Sequence, residues 1–168
     1  MIMNFIRSNN IAAGLIALLR IYIGYKWVTA GFGKISSGGF DAGGFIQMAT
    51  DNPAVPSWWA SFLETVAVPN QGLFSFMVMW GEFLVGIALL AGIFTNFAAL
   101  MGVTLNLSFL FSGSGMLDAQ MAVITVFVVI AGSNAGRFGL DRWVLPFLRN
   151  AILHKMHKKK EKNNMVVV

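Results

Sequence analysis

Arg20, in the stretch RIYIGYKWVTAGFGKI, and Glu82, in WGEFLVG, are ionisable side chains set into sequence that is otherwise apolar. An unpaired charge deep in a bilayer costs at least about 2.5 kcal/mol, so such residues turn inward and find partners. A buried cation and carboxylate can lock two helices in register, or take and give a proton at a bound molecule. Both readings are open for Arg20 and Glu82. Asn106 adds a buried-type amide, which serves either as glue between helices or as a ligand group. Lys26 and Lys34 carry the charge that would receive an anion, or they reach for lipid headgroups. Gln120, with Asp118, adds polar groups at the start of the last apolar stretch. The chain has no Cys, and His154 and His157 both lie in the basic C-terminal tail. Thiolate catalysis, disulfides, iron–sulfur ligation and Cys-held zinc are therefore excluded. No metal, haem or flavin is expected, so redox chemistry would need a diffusible cofactor or another subunit.

The elements that must position these residues are membrane helices. Hydrophobic residues make up 57% of the 168-residue chain and charged ones 11%, which is the balance of a polytopic membrane protein. Four stretches are apolar enough to span: about residues 10–33, 72–94, 96–111 and 116–133. Ser8, Asn9 and Asn10 offer N-caps for the first. Arg20 and Lys26 interrupt it too early for a cleaved signal sequence, so it reads as a retained helix. Thr95-Asn96 and the SGSG at 112–115 are joints short enough to make their flanking helices antiparallel neighbours. The long segment 35–71 opens with SSGGFDAGG, read as turn and coil. It continues into NPAVPSWWASFLETV, where Trp58, Trp59, Phe62 and Val66 predict an interfacial helix. Trp58 and Trp59 read there as an interface anchor. The fold class is thus all-α, an integral membrane four-helix bundle with an interfacial helix in the first extracytoplasmic loop. Residues 1–150 form the four-span domain and 151–168 a basic cytoplasmic tail.

Orientation follows from the cations. The long loop beyond Lys34 has no Lys or Arg but carries Asp41, Asp51 and Glu64, whereas the tail is rich in both. The positive-inside rule puts both termini in the cytoplasm of a multi-pass cell-membrane protein. The tail's cations suit anionic lipid rather than nucleic acid. The first span runs outward from about residue 10 and the second inward from about residue 72, so Arg20, Glu82 and Asn106 each lie roughly 15 Å deep. That arithmetic predicts an Arg20–Glu82 pair with Asn106 beside it. On the first span Arg20, Gly24, Trp27, Gly31 and Lys34 share a stripe, with small residues that allow close helix approach. Lys26 lies off that stripe.

The chain resembles the DoxX/DoxD family of small membrane proteins. The resemblance is carried by LLRIYIGYKWVTAGFGKI, GGFDAGGFI, WGEFLVGIALLAGIFTNFAAL and GRFGLDRWVLP. It implies a four-helix membrane bundle and, for some members, a subunit of a thiosulfate:quinone oxidoreductase. Under that implication Glu82 and Arg20 are the catalytic candidates. Lys34, Lys26, Trp27, Asn106 and Gln120 bind substrate, and Trp80 and Phe83 join Trp27 against a diffusible quinone from the lipid side. A soluble or membrane oxidoreductase subunit is the implied partner, and a homodimer a further expectation. The competing reading is a non-catalytic scaffold for a partner enzyme, or a small-solute pathway.

Overall fold

The computed structural model describes residues 2–114 and 116–165, with side chains described for 2–114 and 119–156. Asp118, His157 and the side chains of the lysine run from 158 to 162 lie outside these. The described residues are mainly helical, joined by short turns and without strands. A short helix α1 (Ile2–Ser8) precedes α2 (Asn10–Ser36), whose N-cap Asn9 accepts hydrogen bonds from the Ile11 and Ala12 amides. Helices α3 (Ala42–Thr50) and α4 (Ser57–Phe62) follow, then α5 (Gln71–Ala91), α6 (Thr95–Phe111), α7 (Met116–Ile130) and α8 (Asp141–Met165).

Two elements depart from expectation. Part of the glycine-rich stretch that reads as coil is helix: α3 begins directly after Asp41 and buries Ala42, Ile46 and Ala49. The Trp-bearing helix α4 does not stand apart from the next helix. It runs through a π-helical turn (Leu63–Ala67) and a 3-10 turn (Val68–Asn70) into α5, giving one apolar helical run from Ser57 to Ala91. Pro69 sits in that junction and has no N–H to donate, so the α-helical ladder cannot continue there and regular winding is broken without ending the helix.

Two helical runs, Asn10–Ser36 and Ser57–Ala91, are long and apolar enough to cross a membrane, and α6 and α7 are shorter apolar helices. α2 packs chiefly on α5 and α6 on α7, while α5–α6 and α2–α7 contacts join the two pairs. The α2–α5 contact is made by glycines. A Cβ at Gly24 would stand 2.8 Å from the Leu90 nitrogen, and one at Gly31 or Gly86 would meet the Phe83 or Val28 backbone. The core between the helices holds Ile23, Trp27, Val85, Leu89 and Val128. At one end, here the loop end, α3 and α4 pack over the bundle. At the other, the tail end, α1 meets the 3-10 turn Gly132–Gly136, with the Asn134 amide donating to Ile6 O and Asn9 O.

Candidate functional site

The glycine contacts fix the register of α2 and α5. Gly24 faces Leu90 and Gly86, and Gly31 faces Phe83. Arg20 therefore lies level with about residue 94, and Glu82 with about residue 32. The two are about 12 residues, or roughly 18 Å, apart along the bundle. The expected Arg20–Glu82 pair does not form. The depth arithmetic fails because the spans do not start flush: α2 runs past the end of α5 at the tail end. Both residues are nonetheless buried, each 1% exposed.

Glu82 takes its cation from the other end of the same α2 stripe. Lys34 Nζ donates to Glu82 Oε2 at 2.6 Å and to Oε1 at 2.9 Å. The Glu82 side chain is 2% exposed and that of Lys34 27%. Phe40 and Phe109 present their rings to the ammonium, at 5.5 and 5.9 Å to their centroids. Such faces attract a cation by their quadrupole. The pair lines a cavity of about 230 Å³ together with Trp27, Phe40, Phe45 and Phe109.

Trp27 is 2% exposed, and its indole N–H finds no protein acceptor among the described residues. Asn106 is fully buried, with neither its amide nitrogen nor its oxygen partnered there. Gly102 faces Val85 and Gly81 faces Leu105, so Asn106 is within about two residues of the level of Glu82. Asn106 lies on α6 between Gly102, which is close to the Trp27 nitrogen, and Phe109 on the cavity wall. Leaving buried polar groups unmade costs about 1–3 kcal/mol each, so such groups call for a ligand or water. Glu82 and Asn106 thus do share a layer, and Lys34 and Trp27 complete it where Arg20 was expected.

The remaining candidates fall elsewhere. Lys26 is exposed, with its ammonium over the Tyr22 ring at 5.7 Å. Gln120 is exposed as well. Trp80 and Phe83 stack edge to face on the outer side of α5, with Phe83 also against Phe32. They do not join Trp27, which points into the bundle, so a single aromatic platform of these three is not formed. Sequence reasoning gave no role to Phe40, Phe45 and Phe109; Phe40 and Phe45 stand in the GGFDAGGFI motif, Phe40 just before α3 and Phe45 in its first turn, and both line the cavity of the ion pair.

Arg20 belongs to the tail end. Its Nη2 donates to Phe138 O at 3.4 Å, and Asp141 is its electrostatic partner. Gly92 and Gly139 pack directly on the guanidinium, leaving no room for a Cβ. Asp141 in turn accepts from the Phe94 and Thr95 amides at 2.7 and 2.9 Å, which caps the start of α6. The Leu140 and Asp141 amides donate to Ala91 O and Gly92 O. The GLD segment after α7 is thereby stapled to the α5–α6 turn, and Arg20 anchors α2 to that staple.

No curated protein and no solved structure matches the chain significantly. The DoxX family model matches residues 15–115, a span holding Arg20, Lys34, Glu82 and Asn106 and stopping short of Asp141. That match covers more than half of the chain, which therefore belongs to the DoxX family of membrane proteins.

Proposed function

We propose that this chain is the membrane subunit of a quinone-linked oxidoreductase. It would be a multi-pass four-helix bundle of the cell membrane with both termini cytoplasmic, working in the bilayer beside a redox partner subunit or a second copy of itself. The carrying observation is a bidentate Lys34–Glu82 pair in a small aromatic cavity whose lining includes an unpartnered indole N–H, with the unpartnered Asn106 amide at about the same level of the bundle. A quinone head has carbonyl acceptors for N–H donors and a flat ring for aromatic walls, so the residues present fit it.

A quinone supplies the two-electron acceptor, becoming a quinol as it takes two electrons and two protons. Thiosulfate or another small reductant, directly or through the partner, gives the electrons. Lys34 and Glu82 act on the protons: Lys34 places positive charge where a ring oxygen gains negative charge, and Glu82 passes a proton toward it. Trp27 and Asn106 orient the head. Arg20, at the tail end, has no catalytic part in this reading.

The test is quinone binding and donor-driven quinone reduction in nanodiscs, with the partner present. Glu82→Gln should keep binding and lose reduction by about 100-fold, the scale of one general acid–base group. Lys34→Met should weaken binding. Trp80→Ala should change neither. Wild-type binding that ignores Lys34→Met and Asn106→Ala would count against the reading.

One observation favours a scaffold instead: the α2–α5 seam is closed by glycine-to-backbone packing, as a structural staple would be. A scaffold predicts that Glu82→Gln and Lys34→Met leave the partner's turnover intact. A solute pathway has no such support, since Ile23, Leu89 and Val128 close the bundle below the cavity.

A further inference from the structure

We infer that the ligand is an amphiphile whose hydrocarbon tail lies in a second chamber under α3 and α4 and leaves between α5 and α6 into lipid. This rests on the quinone reading of the Lys34–Glu82 cavity and extends it to the tail-bearing, membrane-resident form of the substrate. The second chamber, of about 390 Å³, shares Phe40, Phe45 and Phe109 with the ion-pair cavity. The two adjoining spaces therefore have common walls but opposite chemistry.

The first space holds polar atoms that lack partners. In the second, every hydroxyl already has one. Thr104 donates to Leu100 O, Ser108 to Thr104 O and Ser112 to Ser108 O, at 2.8–3.0 Å. The indole of Trp59 donates to Ser112 Oγ at 2.9 Å. A space whose polar groups are all satisfied by its own walls offers nothing to a polar occupant and suits a hydrocarbon. Its side walls, Met77 of α5 and Thr104 of α6, are exposed on the outer surface of their helices, Met77 by 53%. The opening thus faces the bilayer. A polar chamber beside an apolar one that opens sideways, with Phe40, Phe45 and Phe109 as the walls between them, fits a head and a tail on one molecule. The two volumes together fall inside the range of about 300–1,000 Å³ usual for ligand sites.

The experiment uses the full chain in nanodiscs and two quinones with one ring, one without a tail and one with a ten-carbon tail carrying a photoreactive diazirine. Ser108→Phe and Thr104→Phe fill the second chamber and touch no residue of the ion pair. Each should weaken the tailed quinone at least tenfold and the tailless one less than twofold. In the wild type, photolabel should appear on Met77, Val78 and Leu105 and be displaced by the tailless quinone. That measurement needs no variant to fold. Equal losses for both quinones, or label confined to outward residues such as Phe32 and Trp80 while the tailless ring still competes, would overturn the tail chamber and leave the head site standing. Label at Met77 that the tailless quinone does not displace, and that a photoreactive phospholipid reproduces, would make the chamber a general lipid site and overturn the proposal. No binding of either quinone would remove the head reading and this inference with it.

Discussion

Lys34→Met leaves the Glu82 carboxylate buried without its cation. Fully buried pairs lose about 3–5 kcal/mol when one partner goes. Lys34 is partly exposed, so the expected loss is smaller, about 2 kcal/mol. Glu82→Gln keeps an acceptor for the Lys34 ammonium and should cost about 1 kcal/mol. The double substitution should recover most of the loss seen in Lys34→Met, because no charge is then stranded. Thermal unfolding of the four proteins in one detergent measures this coupling, and strict additivity would mean that the pair carries no interaction energy. Arg20→Met is expected to behave differently. Asp141 keeps its two backbone donors without Arg20, so the α6 cap should survive while the tail end loosens. Quinone binding at the Lys34–Glu82 cavity should stay within twofold of wild type; a large loss would tie Arg20 to the site after all. The types of these residues announced burial and pairing. Which cation meets Glu82 was not legible, because pairing depends on how far two helices slide past each other, and side-chain chemistry alone does not encode that offset.

The offset is set at the level of elements, by glycines. Gly24, Gly31 and Gly86 let α2 and α5 touch backbone to backbone, and only one sliding position brings all three contacts together. Gly86→Ala should therefore separate the helices and lower the unfolding midpoint sharply. Gly14→Ala and Gly33→Ala, in the same α2 but with nothing within 4 Å, should leave it unchanged or raise it, since Ala outlasts Gly in a helix by about 0.5–1 kcal/mol. Equal effects at Gly86 and Gly33 would remove the seam as the source of register. The glycine stripes were readable at their three- and four-residue spacing, and Asn9 caps α2 as the sequence places it, whereas the turn between α5 and α6 lies at residues 92–94, just before the Thr95-Asn96 joint that the sequence suggests. Two features were hidden. The GGFDAGG run disguises the start of α3, because glycine-rich composition signals coil even where a helix is held by tertiary packing of Ala42, Ile46 and Ala49. Pro69 beyond α4 only rewinds the chain into α5, a continuation that the sequence reading of a separate interfacial helix does not contain, and Trp59 of that run lines the second chamber.

For the whole molecule the deciding property is sidedness. Arg7 and Arg137 meet backbone carbonyls at the tail end, donating to Ile130 O and Ser8 O. Arg142, Arg149 and Lys155 continue from there along α8. Asp41, Asp51 and Glu64 belong to the loop end, where the one basic side chain, Lys34, is neutralised by Glu82. The positive-inside rule would make the tail end cytoplasmic, and in the proposed reaction the ion-pair cavity would then exchange protons with the outside. The absence of Cys makes this testable without background labelling. In intact cells a membrane-impermeant maleimide should label Ser57→Cys, exposed on α4, and should reach Asn150→Cys, exposed on α8, only after the membrane is opened. The reverse pattern would invert the molecule, and labelling of both from outside would contradict an even number of spans. Sidedness also fixes the direction of proton uptake. In vesicles oriented as in the cell, quinone reduction at Lys34 and Glu82 should draw its protons from the loop side. An external pH dye should therefore register alkalinisation with wild type and none with Glu82→Gln. Alkalinisation inside the vesicle would mean that protons cross the closed core of Ile23, Leu89 and Val128, a route that their close apolar packing opposes.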